Sequence, residues 1–558
     1  MLIEKKWLDK VKYHKEMIII MLGVILITAP LFLLNTGLGH DDCAIILAAL
    51  KLLERSFFDT NVYNNIFARL FDFSHGGFNL TWILGFYVTA AFLKIPLFTW
   101  VFTLPATISA WLSAIVVYFY TYIISQKRFI SFLAFLMFLL IPISIGMGRQ
   151  YFYPLTFIRI FFLFSILVSL IKDSVFWKRI SIIILGIMIF SDNGFLIYFF
   201  LGTMQILLYK YNSLKSNKLL KRIICSVHQT VLYYLDIVVL FPIMIVIIYI
   251  ILYLKPIHAG YGFIAYTLNK KSMFHLSIQK DILYAMMDNM GLGMGLLYPI
   301  ISIFSVYLLF IKEYSEKKIE ILILIIWFWV WIIFGLLVKP WNLGKMYLFE
   351  FTFIPFAILT ALSIDVFLRK YRNITIPVIL FLFLLNIISC ISFVFDYPYR
   401  APQVYGAARS WDIAKTFKAV GTILRFEGYH PVKFRDMSLD KVPVVLAGAS
   451  SYTFYPAIFY WGTDTSKQVN ENTKIIVYIG ASGEDKKQFE ICSKLISKKI
   501  FKLSYVILKD KKPVAWLYYK VGDKKIQLKR YERNELIKEW DRKYANLKDI
   551  KTTGPHAL

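Results

Sequence analysis

Apolar runs long enough to cross a bilayer recur along the chain, at 17–35, 98–124, 129–146, 154–171, 178–191, 195–209, 229–254, 295–311, 319–338, 346–367 and 374–395. A helical crossing takes about 20 predominantly apolar residues. The pattern predicts a polytopic α-helical membrane protein with about 11 transmembrane helices. The short pair 178–191 and 195–209, joined by SDNG, also reads as one re-entrant or broken unit. Of the 558 residues, 58% are hydrophobic and 18% aromatic, which sets a soluble fold aside.

The net charge of +28 invites a nucleic-acid reading. Much of the Lys and Arg, however, sits in short links between the apolar runs, where basic residues set topology. With the N-terminus inside, the inner links hold Lys127–Arg128, then Lys172, Lys178 and Arg179, then Lys210 to Arg222, then Lys312, Lys317 and Lys318, then Arg369, Lys370 and Arg372. The short outer links carry Arg149, Asp192, and Lys339 with Lys345. This is the positive-inside pattern, and it predicts an extracytoplasmic C-terminus on a multi-pass protein of the inner (plasma) membrane. The basic start MLIEKKWLDKVKYHKE reads as the cytoplasmic end of an uncleaved first helix. Cys43, Cys225, Cys390 and Cys492 are scattered, with no C-x-x-C pair, and point to neither a metal site nor a disulfide framework.

Two units follow: 1–395 as the membrane module and 396–558 as an extracytoplasmic α/β domain. In the second, VPVVLAG (442–448), KIIVYIG (474–480), FKLSYVIL (501–508) and VAWLYYKV (514–521) read as strands. Residues 410–427 and 484–499 read as helices by their apolar spacing. Lys511-Lys512-Pro513 reads as a hairpin turn, and the chain from about 522 as a charged tail.

The outer-face loop 36–97 is too long and apolar for a plain connector. AIILAALKLL (44–53), NVYNNIFARLFDF (61–73) and TWILGFYVTAAFL (81–93) read as interfacial helices forming a shelf. Asp41 and Asp42 stand where that shelf meets the first helix, in NTGLGHDDCAIILAALKLLE. Partial desolvation and a neighbouring acid both raise a carboxylate pKa. That tunes the acid toward a general base near neutral pH. Asp42 is also a good N-cap for the segment that follows. Two acids in a row behind His40 favour chemistry over capping alone.

GHDDCAIILAALKLLE, placed just after an outward first helix and before a flat-helix loop, resembles the acidic-pair loop of the GT-C membrane glycosyltransferases. Within that superfamily the layout is similar to the protein O-mannosyltransferase and lipid A aminoarabinose transferase group. NLTWILGFYVTAAFLKIPLFTWVFTLPATISAWLSAIVVYFYTY (79–122) resembles their next stretch, and KPWNLGKMYLFEFTFIPFAILTALSI (339–364) their late segment, with Lys345 and Tyr347 at the Arg and Tyr positions. The acid pair is Asp-Asp here where the family often has Asp-Glu. GMGRQYFYP offers no second acid, and the WWD-type motif of oligosaccharyltransferases is absent.

The resemblance implies an inverting transfer of a sugar from a polyprenyl-phosphate donor to a lipid, glycan or protein hydroxyl at the outer face. Asp41 would be the base, with Asp42 orienting it, or the two roles reversed. The leaving phosphate needs preorganised cations and donors. The candidates are Arg149, Arg159, Lys94 and Lys345, with Tyr347 and His75. Lys94 and Lys345 also suit snorkelling from span ends. Arg159, Glu350 and Asp236 lie within apolar runs and are expected to face inward, with Arg159–Glu350 an expected ion pair. No cofactor is expected, and a divalent ion at Asp41 and Asp42 stays open. The competing readings are a transporter or flippase of lipid-linked saccharides, a polymerase of them, and a scaffold for the C-terminal domain. Richness in Lys, Ile, Asn and Phe suggests an AT-rich bacterial genome, and with it undecaprenyl phosphate as the expected carrier.

Overall fold

The computed structural model describes residues 2–34, 104–149, 195–214, 220–232, 289–337, 343–395, 407–429, 444–447, 465–466, 469–479, 486–522 and 527–544, with Trp461. The first apolar run is helix α1 (Leu2–Leu33), which also takes in the basic start. Run 98–124 is α2 (Leu104–Ser125). Run 129–146 is a bent pair, α3 (Arg128–Leu139) and α4 (Pro142–Gly148), meeting at 64°. Pro142 explains the break. It is suited to the first turn of a helix but cannot continue one, because it lacks the N–H.

Run 195–209 belongs to α5 (Phe195–Ser213). Helix α6 covers 220–232, so it begins inside the stretch that the charge pattern assigns to an inner link. Runs 295–311 and 319–338 are α7 (Leu292–Tyr307) and α8 (Lys318–Leu337), joined by 3-10 turns. The last two runs form α9 (Leu343–Phe395), 53 residues broken at Tyr371 (φ −133°, ψ 45°). Phe353 stacks on Phe138, and Asn386 bonds the carbonyl of Leu140, so both ends of α9 reach the same end of α3. The chain therefore reverses at Tyr371.

Among the described residues, four helices are long and apolar enough to cross a membrane: His14–Leu33, Ala106–Ser125, Leu292–Phe310 and Thr352–Phe395. The bent pair makes a fifth. The 44 residues of Thr352–Phe395 suffice for two crossings at about 20 each. The expected count of about 11 includes runs outside the described residues.

The helices share one continuous core built from α1, α2, α3, α4, α5, α7, α8 and α9. Its two ends differ in chemistry. At one end the buried carboxylate of Asp365 accepts from Lys127 Nζ (2.6 Å), Arg369 Nη2 (2.5 Å) and the Tyr314 hydroxyl (2.9 Å). Arg369 also pairs with Glu313, and Arg128 approaches Glu16 at 4.0 Å. His14 Nδ1 lies 2.9 Å from the Tyr118 hydroxyl, edge-on to Tyr122. Basic links assigned to the inner side, 127–128, 312–318 and 369–372, thus gather at one end around a buried acid.

The C-terminal region holds a six-stranded mixed sheet. Its strands are β1 (Val444–Leu446), β2 (Thr465–Ser466), β3 (Ile475–Ile479), β4 (Phe501–Lys509), β5 (Lys512–Lys520) and β6 (Lys529–Glu532), in the order β2-β1-β3-β5-β4-β6. Strands β2, β1 and β3 are parallel, β5 runs antiparallel to β3 and β4, and β6 is parallel to β4. Helix α11 (Lys486–Ser497) covers one face, packing Cys492, Leu495 and Ile496 on Val445, Ala447 and Ile476. Tyr518 packs on that side, so its neighbour Tyr519 points to the other. There Tyr519 meets Tyr505, whose hydroxyl bonds Glu427 after helix α10 (Ala407–Phe426). Helix α12 (Arg533–Tyr544) packs on α10.

Two expectations change here. The hairpin turn is Asp510–Lys511, both with positive φ (51° and 64°), while Lys512 and Pro513 lie in β5. Residues 529–544, expected as tail, form β6 and α12. Charge on this stretch masks a core face that Leu536 and the fully buried Trp540 supply.

Candidate active site

Of the predicted site residues, Asp41, Asp42, His75, Lys94 and Arg159 lie outside the described residues. Asp236, expected to face inward, lies outside them too. Lys345, Tyr347 and Glu350 fall on the first turns of α9, and their side chains are not described. Arg149 is described, and the site is built from it.

Arg149 follows the last residue of α4, with its N–H on the carbonyl of Gly146. Its side chain is buried at 6% exposure. Nη1 donates to the carbonyl of Leu31 at 2.9 Å, and the guanidinium lies 5.8 Å from the centre of the Phe393 ring. The last four carbonyls of a helix lack intrahelical partners, and Leu31 is one of them in α1. A cation there also meets the negative end of the helix dipole. The segment 35–54 leaves α1 at this point. The structure therefore brings Arg149 to the C-terminal end of α1.

The turn carrying Arg149 is packed closely. Thr107 Oγ1 donates to the carbonyl of Gly148 at 2.6 Å. A Cβ at Gly148 would stand 2.8 Å from the Phe32 ring and 3.1 Å from the Ala110 methyl, so only glycine lets α1 and α2 approach this far. Phe32 in turn packs edge-on to Trp111. Trp111 Nε1, Ser144 Oγ and Ser392 Oγ, on α2, α4 and α9, are buried without a hydrogen-bond partner among the described residues.

Behind this turn lies a feature that the sequence reading passed over. Asn386, Ser389 and Cys390 stand at i, i+3 and i+4 in the apolar second half of α9, on one helix face. Asn386 Nδ2 donates to the carbonyl of Leu140 at 2.5 Å, and its Oδ1 accepts from the N–H of Met294 at 3.1 Å. Ser389 Oγ accepts from the N–H of Leu292 at 2.9 Å. Cys390 Sγ lies 3.1 Å from the carbonyl of Leu140. Three polar side chains in an apolar run, at helical spacing, are the signal that would have found them.

Helix α10 reaches α4, which puts the base of the α/β unit at the Arg149 end of the bundle. Among the described residues, no group of three His, Cys, Asp or Glu could hold a metal.

These features define a polytopic helical membrane protein with a polar, cationic turn at one end of its bundle. No protein-family model and no curated protein matches the sequence. Among solved structures, the chain is similar to an Archaeoglobus fulgidus oligosaccharyltransferase tethered by a disulfide to an acceptor peptide containing the NVT sequon. That likeness has 12% identity and a TM-score of 0.44, over 85% of this chain and 70% of that one. A structure of the same organism's archaeal oligosaccharyltransferase with an inhibitory peptide and a dolichol-phosphate gives 11% identity and a TM-score of 0.45, over 84% and 70%. A third, with Zn and sulfate, gives 11% and 0.39, over 73% and 59%. At these TM-scores nothing about site or substrate carries over from them.

Proposed function

We propose that the chain is an inverting GT-C glycosyltransferase that moves a sugar from a polyprenyl-phosphate donor to a hydroxyl acceptor at the extracytoplasmic face. Asp41 takes the proton of the acceptor hydroxyl, with Asp42 orienting it. The acceptor oxygen forms its bond to the anomeric carbon as the bond to the phosphate oxygen breaks. The lipid phosphate leaves with the electron pair, and Arg149 meets its charge. Arg159, Lys94, Lys345, Tyr347 and His75 complete the donor side, and the α/β unit 396–558 roofs the site.

The observation that supports this reading most is the bond from Arg149 to Leu31. It holds a buried cation at the end of α1, and Asp41 follows Leu33 by eight residues. Eight residues reach at most roughly 29 Å. Base and cation are thereby tethered to one helix end, on the side that the charge pattern assigns to the outside.

A carrier would also use a broken helix, whose free backbone groups coordinate its cargo. In α3–α4 the carbonyl at the break, that of Leu140, is already taken by Asn386 and Cys390. This favours a fixed site over a moving one.

The test is gene deletion, complemented with wild type, Asp41→Asn or Asp42→Asn at matched membrane levels. Mass spectrometry then follows lipids, surface glycans and envelope proteins. A sugar-sized mass should vanish on deletion, return with wild type, and stay absent with at least one Asn variant. A normal profile with both variants would reduce the acid pair to a helix cap and overturn the proposal.

A further inference from the structure

We infer that Asn386 is the positioning residue of the Arg149 turn, a single buried amide that sets the direction in which α4 presents the guanidinium. The inference rests on Arg149 facing the donor phosphate.

Helix α4 has seven residues, too few to hold a helical conformation alone, since isolated helices shorter than about 12 residues are marginal. Its geometry must come from its two ends. At the far end Thr107 binds the Gly148 carbonyl, and Arg149 binds α1. At the near end the 64° break leaves the Leu140 carbonyl facing the core, and Asn386 Nδ2 fills it. The same amide is anchored in turn. Its oxygen takes the N–H of Met294, one of the orphan donors in the first turn of α7. Asn386 is 0% exposed, so neither bond competes with water.

The clamp is rigid on both sides. Gly291 (φ 84°) and Gly293 leave no space for a side chain, with a Cβ at Gly291 falling 2.2 Å from Asn386 Oδ1 and one at Gly293 falling 1.9 Å from the Leu382 carbonyl. Spacing links the clamp to the cation. From Asn386 to Phe393 is seven residues, about 10.5 Å of helix, and α4 is about 10.5 Å long. Helix α9 thus grips the start of α4 with Asn386 and meets Arg149 at its end with Phe393.

The experiment uses the full chain in lipid nanodiscs, with undecaprenyl monophosphate and uncharged undecaprenol as probes. Wild type should bind the phosphate more tightly, and Arg149→Gln should remove that preference. Asn386→Leu should weaken phosphate binding about tenfold, leave undecaprenol binding unchanged, and add nothing in an Arg149→Gln background. Thr107→Val, at the other end of α4, should act in the same direction and serves if Asn386→Leu does not fold. If Arg149→Gln keeps the preference, the donor-side reading of Arg149 falls and the inference with it. If Arg149→Gln loses it, but Asn386→Leu or Thr107→Val weakens both probes equally or adds to Arg149→Gln, the clamp is structural only and the inference alone falls.

Discussion

Replacing Asp365 tests how the basic end of the bundle is held together. Its carboxylate is 4% exposed and takes three donors, Lys127, Arg369 and Tyr314. Breaking a buried ion pair by removing one partner costs about 3–5 kcal/mol when the other charge stays buried. Here Lys127 and Arg369 are 43% and 33% exposed, so both find water when freed, and solvent already screens them. Tyr314 does not have that escape. It is 1% exposed, and its hydroxyl would stay buried and unpaired, at about 1–3 kcal/mol.

Asp365→Ala should therefore cost about 3 kcal/mol in all, and Asp365→Asn less, because the amide oxygen still accepts from Tyr314. With about 2.1 cal/mol/K of unfolding entropy per residue, roughly 1.2 kcal/mol/K for 558 residues, Asp365→Ala should lower Tm by about 2–3 °C. Tryptophan fluorescence in detergent at one scan rate reads this, a fixed rate being needed where unfolding is irreversible. The diagnostic step is to add Tyr314→Phe, which removes the orphaned hydroxyl. The double variant should be more stable than Asp365→Ala alone by about 1 kcal/mol, a coupling expected of groups in contact. A shift under about 1 °C for Asp365→Ala, or no recovery with Tyr314→Phe, would refute the reasoning.

Glycine substitutions should separate by position. Gly293→Ala drives a Cβ to 1.9 Å from the Leu382 carbonyl, a backbone atom that cannot swing away, and should abolish recovery of folded protein on size exclusion. Gly23→Ala, with nothing within 4 Å, should raise Tm, since alanine gains about 1 kcal/mol over glycine in a helix. In the α/β unit, burial pushes the Cys492 thiol from 9.0 up to about 11. Alkylation at pH 8, mapped by mass spectrometry, should therefore miss Cys492 until the unit is unfolded. Below pH 9 both folded and unfolded chains keep that proton; between 9 and 11 only the unfolded chain releases it, so stability falls as pH rises. Cys492→Ser should flatten that fall.

The membrane helices were legible because apolar length is a strong signal: α7, α8 and α9 begin and end within a few residues of the apolar runs, and α1 and α2 end within a few residues of theirs. What escaped was tertiary. Nothing local shows that α3 and α4 meet at 64°, because Pro142 suits a helix start as well as a kink. The basic links read as topology signals, yet Lys127 and Arg369 also bind a buried acid, and Asp365 inside an apolar run four residues before Arg369 was the available clue. Asn386, Ser389 and Cys390 were hidden by the run around them. In the C-terminal region the turn slipped because Pro513 looks like turn chemistry, although Asp510 and Lys511 adopt the left-handed conformation that a two-residue hairpin requires. Arg149 stood out as a lone charge in a short outer link. Its bond to the end of α1 depends on packing that no motif encodes.

In the proposed reaction the chain breaks the bond between a sugar and a polyprenyl phosphate. Lipid extract from the deletion strain, enriched in the unused donor, would be incubated with purified wild type or Asp41→Asn and a membrane fraction as acceptor, and free polyprenyl phosphate followed by mass spectrometry. Wild type should release free polyprenyl phosphate, with matching loss of the sugar-linked lipid, and Asp41→Asn should release at least about a hundredfold less, on the order of a lost general base. A sugar-linked lipid that stays intact with active, folded wild type would contradict the proposed reaction.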